Sequence, residues 1–358
     1  MTARLYGKRL GYGSLATVMR GFEGALTKAG LLRGIYAVDE AGSFVDGECP
    51  TDGADARYGV YVGPLGAVGQ MFERGKHEHH FVMVTPNSDQ LPESLVREIA
   101  GYQDRYDITL MAPSAWAAVV VAKFLPAWPI LIVPHGVSLE YRVLAELSVE
   151  TRRAFQENEF RVLHLSTSAR QRKGTLELIQ GWQSIPRAGK LLCVMDYPAR
   201  LALEEALLDG EAGPIDDSIK IVDRADLPPE RMARSLARSH VVCQPSRGEG
   251  FGLVPLEALA CGVPVVATAV TGHTEYLSRA TPGAVIIGTT KDLRPIDDLP
   301  GSRAPAVDPM DVALALVRAR TSWLELQRAA LDNAHIWRSN WSWEASLEPF
   351  IERLKNVR

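Results

Sequence analysis

The sequence predicts an α/β protein built from two Rossmann-like domains in tandem, each with a parallel sheet covered by helices on both faces. Short apolar runs bounded by turn residues alternate with helical patterns along the chain. The alternation breaks off at a polar segment, Ser148–Asn158, and then starts again. The chain of 358 residues is also long enough for two domains of roughly 150 residues each.

Five apolar runs in the N-terminal half are predicted to be strands. They are GIYAVD (34–39), YGVYVG (58–63), HFVMVTP (80–86), ITLMAPS (108–114) and PILIVPHG (129–136). Helical patterns lie between them, notably over Leu15–Ala29 and Leu91–Tyr102. Because continuous apolar runs are typical of strands buried on both faces, a parallel sheet is expected here.

A second series of six predicted strands follows the polar segment. They are FRVLHLST (160–167), KLLCVMD (190–196), SIKIVD (218–223), HVVCQPS (240–246), VPVVAT (263–268) and AVIIG (284–288). The segment Thr289–Ala306 is rich in Pro, Asp and Gly and is expected to be a surface loop. Parallel sheets bind ligands at the carboxyl ends of their strands, so a cleft lined by strand ends from both domains is the predicted site.

Composition narrows the class of protein. The formal net charge of −4 gives no electrostatic reason for gripping long nucleic acid or an anionic membrane. Four cysteines, Cys49, Cys193, Cys243 and Cys261, lack the spacing of a disulfide or zinc framework. The N-terminus lacks the apolar core of a signal peptide, and no run of about 20 apolar residues suits a membrane span. A cytoplasmic location without a membrane span is therefore expected.

The stretch SRGEGFGLVPLEALACGVPVV, Ser246–Val266, reads as a glycine-rich loop that runs directly into a short helix. Its loop glycines are Gly248, Gly250 and Gly252. They allow close approach to a ligand, while Pro255 suits the first helical turn and Gly262 the residue just past the helix end. A helix entered in this way presents free backbone N–H groups and a partial positive charge, which suit a phosphate.

This stretch carries two glutamates, Glu249 and Glu257, with seven residues between them. Glu257 is expected in the first helical turn, where it can accept hydrogen bonds from a ribose diol. Glu249 is expected at the mouth of the loop, where a sugar attached to the phosphate would sit. The alternative is that Glu257 caps the helix and Glu249 is solvated.

A basic loop precedes the helical pattern in STSARQRKGTLELIQGW (166–182). Arg170, Arg172 and Lys173 stand just before Gly174, at the first strand end of the second domain. Cations at this position can reach a diphosphate that lies over the neighbouring helix N-terminus. The alternative is a solvated basic loop without a ligand.

On these residues, the second domain resembles the nucleotide-sugar domain of the large retaining glycosyltransferase family with the GT-B architecture, glycosyl transferases group 1 of the family 4 type. That family shows a basic loop ending in Lys-Gly, then Pro-Ser-x-x-Glu-Gly-Phe-Gly-x-x-x-x-Glu, then Ala-x-Gly-x-Pro-Val-Val-Ala. The chain has QPSRGEGFGLVPLEALACGVPVVAT, and TGHTEYL (271–277) continues the pattern.

The first domain is similar to a subgroup of the same family. The segments FVMVTPNSDQLPESLV, TLMAPSAWAAVVV and ILIVPHGVSLEYR follow the order and spacing of that subgroup, and WSWEASLEPFIERL is similar to its closing helix. The resemblance implies an N-terminal acceptor-side domain over residues 1–145 and a nucleotide-sugar domain over 146–335. It further implies a terminal helix, 336–358, that crosses back onto the first domain.

The resemblance also implies residue roles. Glu257 would bind the ribose hydroxyls, and Glu249 would contact the transferred sugar near its reacting centre. The diphosphate would be held by Lys173 and by backbone amides of the loop, namely Gly250, Phe251, Gly252 and Leu253. Many relatives carry an arginine five residues before the lysine, where this chain has Ser168. Whether Arg170 or Arg172 takes that role is left open by the sequence.

Four residues of the first domain are further candidates. Gly13 and Ser14 are expected to approach the donor phosphate or the acceptor, and Asp89 to contact the sugar or the acceptor as a catalytic-site residue. His135 either lines the cleft as a donor-binding residue or is a hinge residue satisfied by backbone groups.

Two rival motifs are weighed against this interpretation. KHEHH, with its histidines in the range His77–His80, invites a metal site, but it lacks the i,i+4 pair of a helical zinc site and fits a polar loop before a strand. GYGSLA (11–16) matches the G-x-G-x-x-A dinucleotide fingerprint, with Asp39 downstream. The preceding RLYGKRL, however, reads as a poor buried strand for such a fold.

The sequence therefore predicts a retaining, metal-independent glycosyltransferase that uses a nucleoside-diphosphate sugar, with UDP or GDP as the nucleotide, and no further cofactor. A nucleotide-sugar epimerase or hydrolase of GT-B fold and a NAD-dependent Rossmann enzyme are the alternative enzymes, and a non-catalytic sugar-nucleotide binding protein is the third class. The acceptor stays open among glycan, lipid, protein and modified nucleobase.

Overall fold

The computed structural model describes residues 2–9, 11, 13–39, 43–45, 56–63, 68–157, 159–167, 171–186, 189–223, 227–296 and 301–356. The chain divides into two compact units. The first contains Met1–Ser138 and Asn340–Arg358, and the second contains Leu139–Ser339. The chain thus enters the second unit after Ser138 and leaves it before Asn340, where the sequence analysis placed the boundaries at residues 145 and 335.

The first unit is a parallel sheet in the order β2-β1-β3-β4-β5-β6. Its strands are β1 Ala3–Gly7, β2 Leu32–Ala37, β3 Tyr58–Val62, β4 His79–Met83, β5 Ile108–Ala112 and β6 Ile130–Ile132. Its first four helices are α1 Ser14–Lys28, α2 Val68–Gly75, α3 Glu93–Ala100 and α4 Ala115–Phe124. Three of the six strands, β1, β3 and β5, are buried over their whole length, as expected for a sheet covered on both faces.

The second unit repeats this architecture with the sheet order β12-β11-β10-β7-β8-β9. Its strands are β7 Arg161–Ser166, β8 Lys190–Met195, β9 Ile219–Asp223, β10 Val241–Gln244, β11 Val265–Thr268 and β12 Ala284–Ile287. Its helices are α5 Ala145–Gln156, α6 Thr175–Gln183, α7 Tyr197–Leu208, α8 Pro229–Ala237, α9 Leu253–Ala260, α10 Pro309–Thr321 and α11 Trp323–Asn340. The predicted pair of Rossmann-like α/β domains is confirmed.

The opening strand corrects the sequence analysis. RLYGKRL was interpreted as a poor buried strand, yet Ala3–Gly7 forms β1, lies between β2 and β3, and is buried over its whole length. Its one cation is accommodated because the Arg4 guanidinium lies over the Tyr36 ring, 5.7 Å from the ring centroid. Lys8 and Arg9 fall beyond the end of the strand.

The segment expected to be a surface loop, Thr289–Ala306, contains a two-stranded antiparallel hairpin of β13 Leu293–Pro295 and β14 Arg303–Pro305. The buried Arg247 side chain donates hydrogen bonds to backbone carbonyls of both strands of this hairpin. Its Nε donates to Pro305 O at 3.1 Å, and its Nη2 donates to Arg294 O at 3.2 Å and Pro295 O at 3.1 Å. The hairpin is therefore stabilised by hydrogen bonds from an arginine that lies 58 residues before Pro305 in the sequence.

The chain closes with helix α12, Trp343–Asn356, which belongs to the first unit. Its Phe350 ring packs against the rings of Phe22 and Phe81, at centroid distances of 5.7 and 5.2 Å. Gly21 of α1 lies so close to the Trp343 indole that a Cβ atom there would overlap the ring. The return of the terminal helix onto the first domain is therefore confirmed.

The helices are too short or too polar to serve as membrane spans. The longest, α11, has 18 residues, and its middle carries charged side chains. Over the part of the chain that the structure describes, none of the helices combines the length and the apolar composition needed to cross a bilayer.

Two glycines of α1 provide a matched test of this packing. Gly21→Ala forces the Trp343 indole out of place and should lower the free energy of unfolding by about 1–3 kcal/mol. Gly24 has open space around it, so Gly24→Ala should raise the free energy of unfolding by about 0.5–1 kcal/mol. Urea unfolding of both variants measures the difference. Equal effects of the two substitutions would contradict the close contact between α1 and α12.

Candidate active site

Two loops meet at the carboxyl edge of the second sheet, because β7 and β10 are neighbouring strands. The loop before α6 and the loop before α9 are joined where the Arg247 N–H donates to Arg172 O at 2.8 Å. Gly174 lies so close to Pro245 that a Cβ atom would overlap its carbonyl oxygen. The basic loop and the glycine loop predicted from the sequence thus form one surface.

Both loops end in a left-handed glycine that starts a helix. Gly174 has φ 68° and precedes α6, and Gly252 has φ 84° and precedes α9. Neither helix has a side-chain hydrogen bond at its N-cap. Two helix N-termini at one strand edge therefore contribute partial positive charge to the same surface. The predicted loop-to-helix geometry is present, with Pro255 in the first turn and Gly262 just past the C-cap.

The glycine loop is held by the segment that follows β11. The Glu249 N–H donates to Thr271 Oγ1 at 2.9 Å, and the Gly272 N–H donates to Glu249 O at 2.8 Å. The Tyr276 hydroxyl donates to Gly252 O. Thr271 itself adopts a φ of 51°, unusual for a residue with a side chain. The path of the loop is therefore set by contacts on both sides of Glu249.

The central contact is a buried cluster of one carboxylate and two cations. Glu249 Oε1 lies 2.5 Å from Lys173 Nζ, and Glu249 Oε2 lies 3.2 Å from Arg172 Nη1. The three side chains are 9%, 13% and 11% exposed, in the order Glu249, Lys173, Arg172. Arg172 Nη1 also donates to Gly248 O at 2.8 Å. The sequence placed Lys173 and Glu249 on different parts of a ligand, whereas the structure pairs them directly.

Glu249 is ionised despite its burial. Burial raises the pKa of this carboxyl, but Lys173 and Arg172 outweigh that effect and hold the pKa well below its usual range. Burial in turn lowers the pKa of Lys173, against the opposing effect of Glu249. One carboxylate facing two cations leaves the cluster with a surplus positive charge. A solvated Glu249, the alternative weighed above, is wrong.

Glu257 lies deeper than expected. Because α9 begins at Leu253, Glu257 stands in the second turn rather than the first. Its carboxyl is buried and accepts a hydrogen bond from the Tyr141 hydroxyl. Burial raises the pKa of Glu257 to about 7, and the Tyr141 hydrogen bond opposes this rise. The group therefore titrates near neutral pH.

His273, from TGHTEYL, adds a neutral ring that the sequence analysis did not single out. Its Nδ1 donates to Thr268 O at 2.9 Å, which makes Nε2 an acceptor. The ring is buried against Gly252, and burial lowers its pKa. Among the atoms of the described ranges, Nε2 has no hydrogen-bond partner. A histidine five residues after the end of a predicted strand at Thr268 was the signal available in the sequence.

The remaining loop residues are placed as follows. Gly250 and Phe251 are buried, and the Phe251 ring lies 5.5 Å from that of Tyr276. Leu253 opens α9. Ser168 and Arg170 lie outside the described residues, so the predicted role of Arg170 stays a prediction.

The four first-domain candidates are described within their own unit. Gly13 is the N-cap of α1 and Ser14 its first residue, and both are exposed. Asp89 is half-buried in the segment after β4. His135 is buried with its ring 5.9 Å from that of Trp343, and burial lowers its pKa to about 3, so it is neutral.

The KHEHH histidines have different partners, although the rings of His77 and His80 lie 5.6 Å apart. His77 accepts from the Tyr6 hydroxyl at 2.7 Å and donates to a backbone carbonyl. His79 pairs with Asp107 at 2.7 Å, and His80 packs edge-on to Phe72. In the described ranges, no three His, Cys, Asp or Glu side chains are grouped so as to hold a metal ion.

Sequence comparison finds similarity to known proteins in the second unit. Residues 159–294 match the model of the family described as glycosyl transferases group 1. The D-inositol 3-phosphate glycosyltransferase of Kribbella flavida is 42% identical over 74 residues, which cover 21% of this chain and 17% of that protein. The matched segments span a quarter or less of the curated relatives.

Solved structures match over the whole chain. Sucrose-phosphate synthase of Thermosynechococcus elongatus superposes with a TM-score of 0.75 and 17% identity, covering 99% of this chain and 98% of its own. Anabaena HepE, solved in complex with UDP-glucose, superposes with a TM-score of 0.72 and 15% identity over 100% of both chains. The fold is GT-B.

Removing the central carboxylate tests the cluster. Glu249→Gln leaves two buried cations without a counter-charge and should lower the free energy of unfolding by about 3–5 kcal/mol. Glu157→Gln, which removes an exposed partner of Arg153, serves as the matched control and should change it by less than about 1 kcal/mol. Urea unfolding at pH 7.5 compares them. Equal losses would show that the buried contact is not maintained in solution.

Glu257 should make stability fall with rising pH. Its pKa rises from 4.5 in the unfolded chain to about 7 in the folded one, so the folded state retains a proton that the unfolded state has lost. The stabilisation is full below pH 4.5 and is lost as pH rises to 7. Relative to Glu257→Gln, the wild type should lose about 3 kcal/mol across this window. Parallel stability curves for the two proteins would contradict the raised pKa.

Proposed function

We propose that this protein, in which residues 159–294 match the group 1 glycosyltransferase model, transfers a sugar from a nucleoside-diphosphate sugar to a hydroxyl acceptor and retains the anomeric configuration. The observation that carries the proposal is the buried cluster of Lys173, Arg172 and Glu249 between two helix N-termini. Its surplus positive charge suits a diphosphate, and its carboxylate suits the cationic character of a reacting sugar.

Binding of the donor would begin at the helix N-termini. Backbone N–H groups at the start of α6 and α9 and the Lys173 ammonium would receive the diphosphate. Glu257 would accept hydrogen bonds from the ribose hydroxyls. Since hydroxyl donors favour the ionised carboxylate, donor binding would lower the pKa of Glu257 from its value of about 7 in the free protein.

The chemistry is a substitution at the anomeric carbon. The bond from that carbon to the phosphate oxygen breaks, the bond to the acceptor oxygen forms on the same face, and the acceptor proton passes to the departing phosphate oxygen. No protein base is required. Lys173 and the helix N-termini stabilise the negative charge that grows on the diphosphate. Glu249, ionised and held by Arg172, stabilises the positive charge that develops on the sugar.

The contact of Arg172 with Glu249 favours this course over a covalent intermediate on Glu249. Glu249 Oε2 lies 3.2 Å from Arg172 Nη1, and this cation would reduce the nucleophilicity of the carboxylate while Lys173 engages the diphosphate. Lys173 and the two helix N-termini would supply, beside the leaving diphosphate, the positive charge that a divalent metal ion supplies in other enzymes. We therefore propose that the reaction needs neither a metal ion nor a further cofactor.

For the donor and the acceptor, we propose only their chemical class. HepE, a protein of the same fold, was solved with UDP-glucose, which supports a nucleotide sugar as donor. The acceptor is proposed only as a hydroxyl of a glycan, lipid, protein or modified nucleobase. A cytoplasmic location is favoured by Cys193, Cys243 and Cys261, which are buried free thiols.

Thermal-shift screening against UDP, GDP, ADP and their sugars tests the proposal first. A nucleotide at a hundred times its Kd should stabilise the protein by about 2.7 kcal/mol. Glu257→Gln should weaken that binding by at least tenfold. Stabilisation by none of the nucleotides would overturn the proposal.

The selected donor then separates the enzyme classes. Mass spectrometry of donor and protein without an acceptor should show an unchanged donor, whereas hydrolysis or isomerisation would indicate the alternative enzymes. With an acceptor library, proton NMR of the product should show the anomeric configuration of the donor, and EDTA should leave the rate unchanged. An inverted product or an EDTA-sensitive rate would overturn the retaining or the metal-independent part of the proposal.

A further inference from the structure

Arg172 contacts the glycine loop through both its side chain and its backbone. Its Nη1 donates to Gly248 O at 2.8 Å and lies 3.2 Å from Glu249 Oε2. Its own carbonyl oxygen accepts from the Arg247 N–H at 2.8 Å. Side chain and backbone of Arg172 therefore bind the three consecutive residues that lead into and include Glu249.

Lys173 has two roles that compete. In the free protein its ammonium is 2.5 Å from Glu249 Oε1. A diphosphate carries more negative charge than one carboxylate, so it draws the ammonium away from Glu249. Glu249, whose side chain is only 9% exposed, then requires another partner to stay ionised.

We propose that Arg172 is a positioning residue that holds Glu249 and its loop in place when Lys173 turns from the carboxylate to the diphosphate. The inference rests on the proposed function and deepens it, because it assigns the two adjacent cations different tasks. The Lys173 ammonium, on a flexible side chain, moves from Glu249 to the diphosphate. The planar Arg172 guanidinium keeps its contacts with Gly248 and Glu249. Arg172 is accordingly not a phosphate ligand.

Among the residues that the structure describes, Lys173, Arg172, His273 and Tyr276 are the other ionisable groups around Glu249. Lys173 and Arg172 face it from the loop before α6, and His273 and Tyr276 face it from the segment after β11. His273 is neutral because burial lowers its pKa, and Tyr276 is neutral because burial raises its pKa. Once Lys173 has moved, Arg172 is the cation that the described part of the chain leaves beside the carboxylate.

A first experiment needs no nucleotide. Carbon-13 NMR of carboxyl-labelled glutamate, with the Glu249 signal assigned from Glu249→Gln, follows its ionisation between pH 5 and 8. In Lys173→Gln, Arg172 should keep Glu249 ionised throughout. In Arg172→Gln/Lys173→Gln, the Glu249 pKa should rise by at least one unit above its value in Lys173→Gln. An unchanged pKa in the double variant would overturn the hold of Arg172 on the carboxylate.

A second experiment adds the tightest binder among UDP, GDP and ADP. In the wild type Glu249 should stay ionised with the nucleotide bound. In Arg172→Gln it should be ionised in the free protein, and its pKa should rise by at least one unit on saturation. Arg172→Lys should restore the wild-type response in part, and Arg153→Gln, which removes an exposed arginine, should match the wild type.

The results distinguish a positioning role of Arg172 from a phosphate-binding role and from a purely structural role. Nucleotide affinity reduced at least tenfold in Arg172→Gln, with Glu249 still ionised, would make Arg172 a phosphate ligand and overturn the proposal. A lowered melting temperature with unchanged Glu249 titration would leave Arg172 a structural role alone and also overturn it. If none of the nucleotides binds the wild type, the proposed function fails, while the first experiment still decides whether Arg172 holds Glu249.

Discussion

The pairing of Glu249 with Lys173 is the constraint on which the functional edge of the second unit depends. Two helices start there, and their N-termini add partial positive charge to that of two cationic side chains. Without a carboxylate among them, these groups would repel one another in a poorly solvated place. Glu249 supplies the compensating charge from within the chain, so the site can be assembled before any ligand arrives.

Backbone geometry makes this charge arrangement specific. Left-handed residues at Gly174, Gly252 and Thr271 turn three loops toward one point, and close contacts at two of these positions leave no room for a Cβ atom. Hydrogen bonds between main-chain groups and side chains then cross-link the loops: Thr271 accepts from the Glu249 N–H, while Arg172 donates to Gly248 O and Tyr276 donates to Gly252 O. The position of Glu249 therefore depends on the contacts among all three loops.

Strands with continuous apolar runs, and helices that follow glycine-rich loops, could be predicted from the local sequence. Strands of the second sheet and the start of α9 follow from such patterns. β1 was misjudged because the stacking of Arg4 on Tyr36 is a tertiary contact, and the hairpin was missed because Arg247 anchors it from 58 residues away. The site residues Glu249, Glu257 and Lys173 were named from sequence. Their partners were not, since the contact of Lys173 with Glu249 joins residues 76 positions apart.

The first unit is assembled from both ends of the chain, because Phe350 and Trp343 of α12 pack onto α1 and β4. Synthesis delivers α12 only after the whole second unit has left the ribosome. The second unit, Leu139–Ser339, is continuous and can complete its core first, although folding during synthesis commonly proceeds from the N-terminus. Until α12 emerges, Phe22 of α1 lacks its contact with Phe350, so the nascent chain exposes apolar surface that favours aggregation.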